Sequence, residues 1–562
     1  MLRHSLLAAL ALLPLAAPVL AQQEPSHPTA DILVKGGETA PGKWNRAETD
    51  HFIVMSDGSE AELRQTAVHL EKLQHLLARL YHIDQAHDEV GKLTITLFGK
   101  RSFFKDLGLA NVRSGEGPYG AGLSDQRYYD PRADGAVMAV ARADQIIDLN
   151  TPEARERDCD NAMENDQDCL DAGRVNREPV PRPWTAALYS GVAQHFILSH
   201  LPSAYPRWYL DGVGALFSTV AMRGDGALDY AAPPLYYKQV LRAYGAVRMG
   251  DIVTGRYLEP GYRQMVWTPY HAWLTAHFFL YSGLKPDRQR GFSRYMSAIA
   301  HGAPMAKAAE ELGDLRVLQH EFNVYLESNI LYARSDKGKD AGQDPIVTNL
   351  SPAQVALIAP RLQMEARVED KDAGRREGWL HALRDNLAPV KDAEEVHLLL
   401  AEAECREGHD DLCLQQAEAV LARKPDNGTA LAWKGLALSD KAMAETADRR
   451  AGALNAARQI LSSAAAADNQ APMAQIAYFE SFTKAGETPP QQALIGMVKV
   501  TRANPAAPAP RLDLARELVR EGRGDLARTI MIPVLYGGYA SQEKAQGALL
   551  LAGTSGEGSP QR

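Results

Sequence analysis

Cysteine is scarce in this chain, four among 562 residues, and the four fall as two close pairs, C-x9-C and C-x7-C. Those spacings are wider than the C-x2–4-C that a four-cysteine zinc site needs, which excludes one. Neither charge sign dominates: 61 basic residues face 70 acidic ones, for a formal charge of −9. Without a basic stripe, nucleic acid is excluded as a partner, and a mild acidic excess bears only on solubility. Beyond the first twenty or so residues no run reaches about 18 uncharged apolar positions, so the mature chain has no membrane span. No two of the 16 histidines stand four residues apart, which excludes an H-x-x-x-H metal pair anywhere in the chain. A G-x-S-x-G nucleophile turn and a phosphate-binding loop are absent as well. What is there is ordinary for a globular protein: 45% hydrophobic and 23% charged. That composition excludes a disordered or collagen-like chain, and the length suits three or four domains at roughly 100–200 residues each.

Residues 1–21, MLRHSLLAALALLPLAAPVLA, carry Arg3 and His4, an apolar stretch from Leu6 to Leu20, and a small-residue cleavage site at Val19-Leu20-Ala21. These are the parts of a secretory signal peptide, which predicts export to the periplasm or the medium. Export makes local disulfides the natural reading of Cys159 with Cys169 and of Cys405 with Cys413. Four cysteines allow three connectivities, of which this is the simplest. Such short loops are each worth about 2–3 kcal/mol.

After a polar, proline-containing lead-in over 22–43, Thr49–Met55 predicts a strand, and Ser59 is placed to cap a helix running to Tyr81. The apolar positions Leu63, Ala67, Leu70, Leu73, Leu77 and Leu80 keep the helical period. Lys92–Phe98 alternates and is β-rich, and Gly120–Leu123 and Gly135–Val140 are two more short strand candidates. Residues 150–183 interrupt this α+β unit with the first cysteine pair and an acidic run that includes Asp158, Asp160, Glu164, Asp166, Asp168 and Asp171. That stretch lacks the D-x-[DN]-x-[DN]-G spacing of a calcium loop and is expected to be a solvated, disulfide-closed insert. From Trp184 to Glu327 the pattern is helical: Trp184–Leu198, Asp211–Ala221, Thr268–Tyr281, Arg288–His301 and Leu315–Glu327. Residues 331–390 are expected to be a charged linker and a connecting segment.

From about residue 391 to 555 the chain turns Ala/Leu-rich and falls into helix pairs at 394–424, 428–464, 470–502 and 507–535. Pro425-Asp426-Asn427, Asp468-Asn469 and Asn504-Pro505 punctuate them, and Pro472 stands about 33 residues before Pro505. Around Trp433, ALAWKGLAL resembles the first helix of a tetratricopeptide repeat, whose period is about 34 residues. CLQQAEAVLARKP, from Cys413 to Pro425, resembles the second helix and its closing proline. Cys405 and Cys413 then flank the turn at Gly408, where a bond staples the first pair.

The segment from Tyr189 to Val220, YSGVAQHFILSHLPSAYPRWYLDGVGALFSTV, is a helix, a proline-containing turn and a second helix. Pro206-Arg207-Trp208-Tyr209-Leu210-Asp211-Gly212-Val213-Gly214 resembles the P-x-W-x-x-E-G-x-A of peptidase MA-like (gluzincin) metallopeptidases, and the resemblance extends over residues 44–330. It implies a first helix bearing H-E-x-x-H, whose histidines bind zinc while the glutamate works on the bound water. In this chain those positions are Ser190, Gly191 and Gln194, and the third ligand is shortened to Asp211. Slipping the register by one puts His195 at the second histidine position, with Gly191 and Val192 at the other two. Neither register supplies three zinc ligands and a base.

The remaining candidates are weaker. His200 lies about 140° round the helix from His195, on another face. His271 and His277 sit in an aromatic helix (WTPYHAWLTAHFFLY) and suit packing or a groove. Ser190 beside Gly191 has no placed base to make it a nucleophile. The fold class expected is therefore an α+β gluzincin-like peptidase domain followed by an all-α tetratricopeptide-like solenoid. The function expected is that of an exported, non-catalytic pseudopeptidase, with no catalytic residue and no cofactor, whose cleft and concave helical face bind a protein or peptide. One alternative is a zinc peptidase that recruits His195, Asp211 and His271 or His277. Another leaves the first domain inert and gives the helical repeats the whole function.

Overall fold

The computed structural model describes residues 43–552, apart from 86–87, 101–102, 104–105, 110–126, 148–178, 260–261, 263–265, 337–343, 369, 468–471 and 538–540. The signal segment, the lead-in, the strand expected at Gly120–Leu123, and Cys159 and Cys169 with nearly all of their insert lie outside the described residues.

Alternation of buried and half-buried positions builds the N-terminal sheet. Its strands are β1 (Asn45–Glu48), β2 (Phe52–Ser56), β3 (Leu93–Phe98), β4 (Arg127–Arg132), β5 (Gly135–Ala141) and β11 (Ile346–Asn349), in the order β11-β1-β2-β3-β5-β4. β3 pairs in parallel with β2 and with β5, and the other pairs are antiparallel. Helix α1 (Glu60–Leu80) fills the crossover between β2 and β3. Ser59 caps it by accepting from the Glu62 N–H, and Leu63, Ala67, Leu70, Leu73 and Leu77 turn inward. A short ribbon, β6 (Gln145–Ile147) with β7 (Val180–Arg182), brackets the insert. A three-stranded sheet joins β8 (Ala221–Met222), β9 (Leu228–Tyr230) and β10 (Ala333–Arg334).

Among the helices that follow are α2 (Trp184–His200), which packs on β4 and β5, α3 (Arg207–Phe217), α4 (Pro269–Tyr281), α5 (Pro286–Ala300) and α6 (Leu315–Glu327). α2 and α4 are apolar nearly all round, as helices buried on every side are, while α3 is equally buried but sets Arg207 and Asp211 one turn apart on one face. Helix α3 begins four residues earlier than the expected Asp211. Pro206, with its φ fixed near the helical value, opens the helix at Arg207 and puts Asp211 inside it.

Residues 331–390, expected as linker and connector, carry β10, β11 and three helices: α7 (Pro352–Ala356), α8 (Ile358–Val368) and α9 (Ala373–Leu387). β11 completes the N-terminal sheet against β1, and Ile358 and Leu362 of α8 pack with Phe98, Tyr128 and Ala139 on its strands.

The C-terminal part is a long array of paired helices. The pairs are α10 (Glu394–Arg406) with α11 (Asp410–Leu421), α12 (Gly428–Met443) with α13 (Ala447–Ala467), α14 (Pro472–Thr483) with α15 (Gln491–Ala503), and α16 (Pro508–Arg520) with α17 (Gly524–Leu535). A last helix, α18 (Gln542–Ala552), follows. Cys405 and Cys413 are bonded, Cα to Cα 5.2 Å, across the first pair's turn. Among the described residues no helix is long and apolar enough to cross a membrane.

Candidate functional site

Gly212 lets α3 lie directly on α4. A Cβ there would meet Ala276 Cβ at 2.5 Å and the Ala272 carbonyl at 3.0 Å, so only glycine keeps this spacing. Trp208, fully buried one turn earlier, donates its indole N–H to Tyr295 Oη (3.0 Å) and locks α3 against α5. Asp211 sits at 2% exposure between these helices. Its carboxylate accepts from Arg207 Nε at 2.9 Å on both oxygens and from Trp267 Nε1 at 3.0 Å. All its strong interactions are with protein groups one helical turn away or on the neighbouring segment. Burial makes the pair interdependent, since an isolated carboxylate there would be costly.

On α2, Ser190, Gly191 and Gln194 are likewise buried. The space that a side chain at Gly191 would fill is taken by Arg127 from the edge strand β4. A Cβ at Gly191 would lie 2.6 Å from Arg127 Cδ and 2.7 Å from its Nη1. The guanidinium donates to Gln194 Oε1 (2.5 Å) and to the Ala187 carbonyl (3.4 Å). Gln194 Nε2 in turn donates to the Leu210 carbonyl (3.1 Å), tying α2 to α3. Ser190 Oγ rests against Gly214, only 2.6 Å from where a Cβ there would stand. The structure thus places Ser190 and Gln194 where α2 meets α3, puts Arg127 against Gly191 and Gln194 on the side of α2 that β4 and β5 cover, and leaves Asp211 with Arg207 and Trp267 instead.

The histidines are distributed rather than convergent. His195 Nδ1 is hydrogen-bonded to the Tyr129 hydroxyl (2.9 Å), and Ser199 Oγ lies 3.3 Å from the same nitrogen. His200 turns away and pairs with Asp88 at 2.8 Å. His271 Nδ1 is hydrogen-bonded to the Thr268 hydroxyl (2.7 Å), and its Nε2 meets the Gly245 carbonyl (3.2 Å). His277 is held by the Tyr325 hydroxyl (2.6 Å) and the Leu331 carbonyl (3.0 Å). Burial pushes the His195 imidazole down to about 3 and those of His271 and His277 to about 4, so all three are neutral near pH 7. Among the described residues no three of His, Cys, Asp and Glu converge as a metal-binding group.

Two residues that β4 lays against α2, Arg127 and Tyr129, are not singled out by the sequence. Both lie on β4 (RYYDPR), where arginines and a proline break the alternation that marks a strand. An edge strand tolerates Pro131. The one signal is Gly191 itself, a glycine in mid-helix, which implies that something approaches the backbone closely.

No protein-family model matches this chain, and no curated protein matches it. Among solved structures, a thermophilic TPR protein of Thermus thermophilus is similar at a TM-score of 0.29 and 18% identity, over 34% of this chain and 97% of that one. A likeness at that score adds nothing to the geometry.

Proposed function

We propose that the chain is an exported, non-catalytic relative of gluzincin peptidases that binds a protein or peptide partner through a tetratricopeptide-like helical array. The observation that carries the first half is the Arg127 side chain in the space against Gly191. It sits among the very positions where the family resemblance implies metal ligands, and Gln194 and Asp211 are engaged with protein groups. A fixed guanidinium there supplies a positive charge without an open coordination position, so it cannot activate a water as zinc does. The array supports the second half. Successive helix pairs pack each on the next, and stacked arrays of this kind present extended surfaces that bind segments of other chains. On this reading residues 1–21 are removed on export, Cys159 and Cys169 form a second disulfide, and zinc is not a cofactor.

The test is elemental analysis of the exported chain purified without chelators, with a peptidase assay on a denatured protein substrate. Zinc far below one per chain and no chelator-sensitive cleavage are expected. One zinc per chain, or cleavage that a chelator stops, overturns the proposal.

A further inference from the structure

Away from the histidines already described, Glu71 stands on the inward side of α1, 3% exposed, with both carboxylate oxygens on one residue. Oε1 accepts from the His51 backbone N–H at 2.9 Å, and Oε2 accepts from His51 Nδ1 at 2.8 Å. Burying a carboxylate is unfavourable unless it is hydrogen-bonded, and here those bonds fix the place and the tautomer of an imidazole. One turn along α1, His75 directs its own Nδ1 to the Glu71 carbonyl at 2.7 Å. Carboxylate and carbonyl oxygens only accept, so Nδ1 is the donor in both rings. The lone pair of each neutral imidazole is then on Nε2.

The two rings lie 6.0 Å apart, centre to centre, and nearly perpendicular at 87°. With a metal–nitrogen bond of about 2.0–2.1 Å, two imidazoles on one cation have ring centres no more than about 6.3 Å apart. This pair is inside that limit. His51 keeps a fifth of its side chain exposed and His75 is half-buried, so a cation reaches both from solvent. His51 precedes β2 and His75 belongs to α1, so no short motif joins them. Glu71 does, by holding both rings through their Nδ1 atoms.

We propose that His51 and His75 form a site for an imidazole-preferring divalent cation, Cu(II) most tightly, with Glu71 as the positioning residue for both rings. Ligating histidines are held in this way, one ring nitrogen on a carboxylate or backbone carbonyl and the other kept for the metal. Cu(II) ranks highest among the divalent ions that imidazole binds. Among the described residues no third His, Cys, Asp or Glu joins the pair, so solvent supplies the remaining positions. Two protein ligands fall short of the three that hold a catalytic zinc. The site therefore fills when the ion is supplied, and it does not rest on the non-catalytic reading.

The experiment titrates Cu(II) alone into the full-length exported chain with glycine in excess, which keeps the ion from isolated surface histidines. One equivalent is expected to bind, with the electron paramagnetic resonance pattern of two imidazole nitrogens. In the unaltered chain it is expected to shield His51 and His75 from carbethoxylation by diethyl pyrocarbonate, read by peptide mass spectrometry. His75→Gln, which leaves the Glu71–His51 bonds in place, is expected to weaken binding at least ~10-fold. Glu71→Gln offers one acceptor to two donors of His51, so a loss of about 10-fold is expected there too. His301→Gln is the control: that ring is exposed and has its Nδ1 on the Ser297 carbonyl at 2.7 Å, and its loss is expected to change nothing. No Cu(II) held against glycine, shielding that falls on other histidines, or unchanged affinity in His75→Gln overturns the proposal. Each of these leaves the non-catalytic reading, which is judged on retained zinc and cleavage, intact.

Discussion

Arg127 fills the space against Gly191 of α2, and it changes what histidines and a glutamate introduced there should do. Introducing Ser190→His, Gly191→Glu and Gln194→His would rebuild an H-E-x-x-H helix, yet the new carboxylate would arrive where Arg127 Nη1 now lies. A buried guanidinium and carboxylate pair with each other before either serves a metal. The triple variant is therefore expected to remain folded and take up no zinc, and adding Arg127→Ala is expected to yield zinc binding in a fluorescent chelator competition. Zinc uptake by the triple variant alone would show that the arginine does not hold the site. The buried histidines give a second prediction. With His195, His271 and His277 held at about 3 to about 4 against an ordinary 6.5, the folded chain binds fewer protons than the unfolded one below about pH 6.5. Stability must then fall as pH drops through that window and level off below the folded values, by on the order of 3 kcal/mol per histidine. His51 opposes this: burial lowers its pKa, but the hydrogen bond and charge of Glu71 outweigh burial and raise it. Urea midpoints followed by tryptophan fluorescence should drop between about pH 7 and about pH 4.5, and a flat profile would contradict neutral burial.

Among the elements, helices were legible wherever a face kept its period. The α1 stripe from Leu63 to Leu77, the cap at Ser59, and the punctuation between the array's pairs all come from residues within one or two turns of each other. The strands were less so. β1 and β11 are four-residue pieces that no local pattern marks; β1 lies between β2 and β11, and its pairing with β11 spans some 300 residues, Asn45 with Asn349. The filling of the space beside Gly191 was illegible because it too depends on a distant segment. Arg127 meets Gln194 across 67 positions, and its contact is a matter of tertiary packing rather than of spacing. The Cys405–Cys413 bond, by contrast, is as local as its sequence suggested, eight positions apart across one turn. In a stacked array each pair leans only on its neighbours, so breaking this bond should act locally. Cys405→Ala with Cys413→Ala is expected to destabilise the α10–α11 pair by about 2–3 kcal/mol. Amide exchange should rise there and in α12, with α16 and α17 unaffected. A uniform rise along the whole array would mean that it unfolds as one unit.

At the scale of the molecule, the helical array and the N-terminal part are not beads on a string. β11 and α8 follow the last helix of the N-terminal part in sequence but complete its sheet and the apolar layer over Phe98 and Tyr128. Farther on, Asn504 grips the β4–β5 turn, and Tyr536 at the end of α17 stacks over Gly302 beyond α5, its ring within 2.7 Å of where a Cβ would stand. These two kinds of contact differ in weight. The first buries Ile358 and Leu362 almost completely, at 4% and 3% exposure, and each such side chain is worth roughly 1.5–3 kcal/mol on burial. The second is a few hydrogen bonds, the small side chain of Ala133 on the cluster around Phe479 and Met497, and one ring. Two truncations separate them. A chain ending at residue 390 keeps β11, α7, α8 and α9, and is expected to fold with a cooperative melt only modestly below that of the full chain. A chain ending at residue 330 loses the β11 edge and uncovers the Phe98–Tyr128 layer, and it is expected to aggregate or to melt without cooperativity. If the shorter chain melts as sharply as the longer one, the sheet does not need β11, and the structural unit ends before it.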